Sequence, residues 1–152
     1  MQSVLFGCEQ AELTSDDYYT PAWVFERMGL AFDLDVASPP AGIPWIPARR
    51  WLSKADDGLN QEWQGRVWMN PPFSEVTPWV NKFIEHCYGV CLLPHAKSKW
   101  HTRIWDTADG VTITDRFDFC GGRSNGEVRF PVFFAAFGAE CVEAIGRLGR
   151  VR

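Results

Sequence analysis

At 152 residues, with 46% hydrophobic and 22% charged residues, the chain has the size and composition of one ordinary globular domain. A net charge of −4 excludes a protein held to nucleic acid chiefly by bulk electrostatics. The charge is uneven, however. Residues 1–94 carry six Lys/Arg against twelve Asp/Glu, and residues 95–152 nine against seven, so the second half can offer a phosphate-facing side.

No apolar run reaches membrane-spanning length. Leu5-Phe6-Gly7-Cys8 lacks both the preceding basic residue and the apolar length of a lipoprotein leader. The five cysteines (Cys8, Cys87, Cys91, Cys120, Cys141) are odd in number and irregularly spaced, which reads as reduced thiols. Residues 1–15 have no clear period and are expected to form an arm, with one domain over 16–152.

In chain order, Thr20 is expected to cap a first helix with Pro21 at its first position and Gly29 closing it. Val24, Phe25 and Met28 share one face of that helix. Ala31 to Ala37 alternates apolar and acidic residues and predicts the first strand, ended by Ser38-Pro39-Pro40. Four prolines and a glycine mark residues 39–50 as a loop that can rim a pocket. Arg50-Trp51-Leu52-Ser53 predicts a short strand, Asp56-Asp57-Gly58 a turn, and Arg66 to Met69 another strand. Val76 to Tyr88 predicts a helix with Val76, Val80, Phe83, Ile84 and Cys87 on one stripe, closed by Gly89. Val90 to Leu93 has the continuous apolar character of a buried parallel strand. Ser98 is expected to cap a helix running to Thr107. Strands are predicted over Val111–Thr114, from Phe117, and over Pro131–Phe137, with a glycine-rich loop at 121–126 and a closing helix from Glu140 to Leu148. This alternation predicts an α/β fold, a mostly parallel sheet with helices on both faces and one antiparallel edge pair.

The stretch Val67-Trp68-Met69-Asn70-Pro71-Pro72-Phe73 organises the rest. A buried strand runs into an asparagine, and two prolines then stop both strand and helix. The residue before a proline is kept out of the helical region. An amide, a backbone carbonyl and an aromatic ring are thus held at a strand's carboxyl tip, where open α/β sheets bind ligands. Two acceptors beside an aromatic face suit a planar ring bearing an exocyclic amino group.

This block resembles the Asn-Pro-Pro-Phe/Tyr signature of methyltransferases that act on planar amino groups. Tyr18-Tyr19-Thr20-Pro21, Phe32 to Ser38, Asp57-Gly58-Leu59 with Trp63, and Leu92-Leu93-Pro94 come in the order and spacing of the phage-type, Dam-like DNA N6-adenine methyltransferases. Thr114 to Phe119 and the strand ending at Phe137-Gly138 extend the resemblance, which covers roughly residues 16–137. It implies a single Rossmann-like domain that uses S-adenosyl-L-methionine to methylate adenine N6 in double-stranded DNA, in the cytoplasm of a bacterial host. It implies that Asn70, Pro71, Pro72 and Phe73 form the catalytic block. Asn70 and the Pro71 carbonyl would accept the amino group's two N–H bonds, and Phe73 would stack on the flipped base or else plug the core beneath the turn. Tyr19, Thr20 and Pro21 would line the methionine side of the cofactor, and Asp35, Ala37 and Ser38 the turn after the first strand. Asp57 would contact the cofactor's ribose or adenine ring or close an Asx-type turn with Gly58. Ser-Pro-Pro stands where a Gly-x-Gly is expected after Asp35, so close backbone approach to the cofactor must arise differently. Methylation of an RNA base or a glutamine amide, or a silent nucleic-acid-binding relative, are the rival readings.

Lys97, Lys99, Arg103, Arg116, Arg123 and Arg129 are the candidate phosphate contacts. His86, Cys87, Cys91, His95 and His101 lack paired Cys-x-x-Cys spacing and divide among a helix, a strand and a second helix, so no metal site is expected. His95, following Leu-Leu-Pro, is expected near the pocket.

Overall fold

A computed structural model describes residues 19–114, 117–119 and 128–152. The N-terminal arm, Tyr18, Cys8, Cys120, Arg116, Arg123 and the glycine-rich loop lie outside these residues. The strands are β1 Phe32–Ser38, β2 Ala48–Ser53, β3 Val67–Met69, β4 Gly89–Pro94, β5 Gly110–Ile113, β6 Phe117–Phe119, β7 Val128–Phe130, β8 Val132–Phe137 and β9 Arg150–Val151. The helices are α1 Ala22–Met28, α2 Val76–His86, α3 Lys99–Thr107 and α4 Ala139–Ile145.

Seven strands form one sheet in the order β2-β1-β3-β4-β8-β5-β9, and β6 pairs with β7 in a separate antiparallel hairpin. β2, β1, β3 and β4 are mutually parallel, whereas β8 runs antiparallel to both β4 and β5. The sheet is therefore mixed, with five of seven strands running the same way. The reversal expected at an edge lies instead between β4 and β5, and a second antiparallel strand, β9, closes the edge beyond β5. A six-residue strand as apolar as Val132 to Phe137 can be buried on both faces, and it is.

Each face of the sheet carries its own core. Leu34, Val36, Val67, Met69, Cys91, Leu93, Phe133 and Ala135 pack with Val80 and Phe83 of α2 and Ile104 of α3. Phe32, Trp68, Val90, Leu92 and Phe134 pack with Val24, Phe25 and Met28 of α1 and Ala144 and Ile145 of α4. Trp68 anchors this second core, with the Phe25 ring edge-on at 4.7 Å. Two-sided burial explains why β3 and β4 read as unbroken apolar runs rather than alternating ones.

Several boundaries differ from expectation. α1 begins one residue later, with Pro21 rather than Thr20 at its cap and no capping side chain. The Thr20 hydroxyl is engaged elsewhere. The end of α2 falls on Cys87, in the left-handed region at φ 61°, instead of on Gly89. Ser98 does stand at the cap of α3, but its hydroxyl makes no capping bond. β2 starts at Ala48 rather than at Arg50, because Ala48, read as loop, pairs with Phe32 of β1.

The order β2-β1-β3 matters most for function. After β1 the chain crosses to one side to form β2, then returns to form β3 on the other side of β1. The β1–β2 connection packs Ile43, Trp45 and Ile46 on the α1 face, while α2 leaves β3 on the opposite face. Connections that part in this way open a crevice at the carboxyl ends of β1 and β3, the position where open α/β sheets bind ligands.

Candidate active site

Three segments meet at this crevice. The first is Tyr19-Thr20-Pro21, brought there because α1 descends along the sheet to feed β1. Thr20 is fully buried, Pro21 is buried and Tyr19 half-buried. The second is the end of β1, where Asp35 is 3% exposed. The third is Asn70 to Phe73, directly after β3.

Asn70 Nδ2 donates to Thr20 Oγ1 at 3.2 Å, across fifty residues of sequence. An amide whose nitrogen is held on one side presents its carbonyl Oδ1 on the other. The Thr20 carbonyl in turn accepts from Trp45 Nε1 at 2.8 Å, so the loop after β1 braces the same turn. Pro71 is buried; Pro72 and Phe73 are half-buried, and Phe73 packs against the α1-side core.

Asp35 borders a cavity of about 140 Å³ whose walls are the loop at residues 41–46, Ala48 and Trp51. The backbone N–H of Ala37 donates to Asp35 Oδ1 at 3.3 Å. Burial nevertheless dominates and pushes the carboxyl up to about 7, with the Ala37 bond opposing it. Ser38 is buried, and its hydroxyl donates to the Pro39 carbonyl at 3.0 Å. Asp57 stands apart from this cavity. It is exposed, in the left-handed region at φ 56°, and its carboxylate accepts from Asn60 Nδ2 at 2.6 Å.

Lys97, Lys99 and Arg103 come together around a surface groove at the start of α3, beyond the carboxyl end of β4. All three are exposed, and Arg103 also donates to the Asn81 side chain. The side chain of Arg129 lies outside the description. His95 does not border the Asp35 cavity. Its ring lies 5.1 Å from that of Phe133, and its Nδ1 is 3.4 Å from His101 Nε2. Burial and the neighbouring His95 both hold His101 below the usual imidazole range. Among the described residues, no group of three or more His, Cys, Asp or Glu side chains could hold a metal ion. No helix among them is long and apolar enough to cross a membrane.

The sequence reading passed over three contributors, namely Trp45, Gly42 and Trp51. The available signal was the proline-rich stretch itself, which holds one tryptophan, Trp45, and is followed at once by another, Trp51.

The family model for DNA N-6-adenine-methyltransferase (Dam) matches residues 8–132. Over 74 residues the chain is 32% identical to a protein named DNA N-6-adenine-methyltransferase from Haemophilus phage HP1 (strain HP1c1). That alignment covers 45% of this chain and 41% of the phage protein, so it spans about two-fifths of the relative's length. No solved structure matches the chain.

Proposed function

The chain belongs to the DNA N-6-adenine-methyltransferase (Dam) family, and from that premise we propose that it methylates the N6 amino group of adenine in double-stranded DNA. The methyl donor in this reading is S-adenosylmethionine. The observation that carries it is the Asn70 amide, standing at the switch point of the sheet with its nitrogen tied to the buried hydroxyl of Thr20.

The residues around Asn70 fit such a donor. A buried carboxylate beside a small apolar cavity suits one end of it, and the aromatic Tyr19 beside Thr20 and Pro21 suits a cationic sulfur. Tyr19, Thr20 and Pro21 would hold its methionine side, and Asp35, Ala37 and Ser38 would form the turn against it. Asp57, whose carboxylate also accepts from Asn60, would contact the donor's ribose or adenine ring or hold its own turn. When bound, S-adenosylmethionine supplies an electrophilic methyl group on a sulfonium.

The protein's part is positioning and preorganised dipoles. The amino nitrogen of adenine is flattened because its lone pair is drawn into the ring. Asn70 Oδ1 and the Pro71 carbonyl accept its two N–H bonds, which favours a tetrahedral nitrogen whose lone pair faces the methyl group. Thr20 keeps the amide from flipping its nitrogen toward the base. Phe73 is anchored by the core on one side and offers the rest of its ring to a base flipped from the duplex. Lys97, Lys99 and Arg103 neutralise phosphates, and Arg116 and Arg123 extend the same role from the chain's basic second half. The setting is the cytoplasm of a bacterial host, where the DNA lies.

The test supplies donor labelled in its methyl group together with DNA, RNA and protein acceptors. Label recovered as N6-methyladenine from digested DNA is expected. Label recovered instead from RNA or glutamine side chains, or none at all, overturns the reading.

A further inference from the structure

The cavity beside Asp35 is too small for a whole nucleoside-sulfonium cofactor. Ligand sites usually measure roughly 300–1,000 Å³, whereas a cavity of about 150 Å³ takes a single aromatic ring. At about 140 Å³ this one admits one end of such a molecule. Its walls decide which end. Ile43, Pro44 and Ile46 are apolar, Trp51 is aromatic, and among the described residues Asp35 is the one ionisable group on the lining. A methionine zwitterion would bring a carboxylate that meets no cation among the described walls and would lose its hydration. A nucleobase has two apolar faces and only donor and acceptor edges, so it buries well and leaves its hydrogen bonding to Asp35.

Trp51 is held as a wall. Its Nε1 donates to the Pro40 carbonyl at 3.2 Å, which fixes the indole's orientation. Gly42, at φ 75°, lies so close to the ring that a Cβ there would come within 2.9 Å of Cε2. The indole is still 46% exposed, one of three large hydrophobic side chains left exposed among the described residues. Across the sheet, Trp51 is the register partner of Asp35, and Asp35 is the partner of Trp68, two residues before Asn70. A strand spacing of about 4.8 Å and a rise of about 3.3 Å per residue put Asn70 about 8 Å from Asp35. That is a short span from a base seated by Trp51 to a methyl group delivered at Asn70.

We propose that Trp51, backed by Gly42, is a specificity-determining residue that seats the nucleobase of the methyl donor in the cavity beside Asp35. The methionine end then lies toward Tyr19 and Thr20. This inference rests on the proposed use of S-adenosylmethionine and adds which end of it each segment holds.

The experiment is calorimetric titration of the full chain with S-adenosylhomocysteine, adenosine and methionine as separate probes. Adenosine is expected to bind and to compete with S-adenosylhomocysteine, and methionine not to displace adenosine. Trp51→Ala should weaken both nucleoside probes about tenfold or more, as for the loss of one base–aromatic contact, and Trp51→Phe should restore most of the affinity. Gly42→Val, which must push the indole aside, should weaken both as well, with circular dichroism confirming that each variant folds. Tight S-adenosylhomocysteine binding that neither Trp51 variant alters, or that adenosine does not compete with, overturns this inference and leaves the proposed activity standing. Failure of the wild-type chain to bind S-adenosylhomocysteine or S-adenosylmethionine at millimolar concentration overturns both.

Discussion

The two ends of the sheet use the same kinds of residue for opposite purposes. At the amino end of the parallel strands, polar groups are consumed by the fold. Asp33 Oδ2 accepts the Arg66 backbone N–H at 2.8 Å, and Arg66 Nε donates to the Ala31 carbonyl at 2.7 Å. Tyr88 donates its hydroxyl to Glu140 at 2.5 Å, which holds that carboxyl below its usual range, and Asp109 accepts the Gly138 N–H at 2.8 Å. The chain is so tight there that a Cβ on Gly89 would come within 2.2 Å of the Val67 carbonyl. At the carboxyl end, Asp35 is buried with one backbone donor, and the hydroxyls of Ser98 and Thr114 are buried without a hydrogen-bond partner among the described residues. Asp33 and Asp35 lie two positions apart on one strand and so face the same way. One ties β1 to the residue just before β3, and the other borders a cavity. A buried carboxylate kept where it costs stability fits the site proposed at that end.

The largest expected effect tests that cost directly. Asp35 has its carboxyl pushed up from 3.8 to about 7 by burial. Between about pH 4 and 7 the folded state holds a proton that the unfolded chain has released, so this group's contribution falls as pH rises and is fully lost above 7. Asp35→Asn should therefore stabilise the ligand-free protein at pH 8 by up to about 4 kcal/mol and hardly at all at pH 4. Urea denaturation at both pH values measures it. An equal difference at both would mean that Asp35 is as well satisfied as Asp33.

Next comes Asn70→Ala, expected to slow methyl transfer by on the order of 100-fold or more with donor affinity nearly unchanged, and to cost about 1 kcal/mol of stability by leaving the buried Thr20 hydroxyl without its donor. Asn70→Asp keeps an acceptor and should retain partial activity. Wild-type turnover in a folded, donor-binding Asn70→Ala protein would remove the amide from the mechanism.

Asp33→Ala should give the mirror image, a loss of about 1–2 kcal/mol of stability on denaturant unfolding with turnover in the folded protein unchanged. A selective loss of donor binding would erase the contrast between the two carboxylates.

The smallest effects belong to the groove at the start of α3. Replacing Lys97, Lys99 and Arg103 singly by alanine should weaken DNA binding severalfold on every sequence alike, and each should lower the salt slope by about one. A change in which sequence is methylated would show these residues reading bases rather than holding phosphates.

Much of the site was legible because its signals are local. Two prolines stop a strand wherever it lies in the fold, so Asn70 at a carboxyl tip could be read directly. The buried strands announced themselves by apolar runs, and Gly29 closed α1 at φ 61° as expected. Thr20 shows where such reading fails. A threonine before a proline looks like a helix cap, yet its hydroxyl serves Asn70, fifty residues away. Trp51 is the complementary case, because nothing in Arg-Trp-Leu-Ser tells whether its indole faces solvent, core or a cavity.

The sequence by itself determined the alternation of strands and helices, the two-sided burial of the central strands and the amide, prolines and aromatic ring held at the end of β3. All of these follow from covalent restriction and periodicity within a few residues. Only the tertiary structure decided that β8 runs backwards between β4 and β5, and that the chain changes direction around β1. It alone showed what Asp33 and Asp35 each touch, the Arg66 backbone for one and a cavity for the other. Strand order and burial depend on contacts between distant residues, and the free energy of such contacts belongs to the assembled core rather than to any one stretch of the chain.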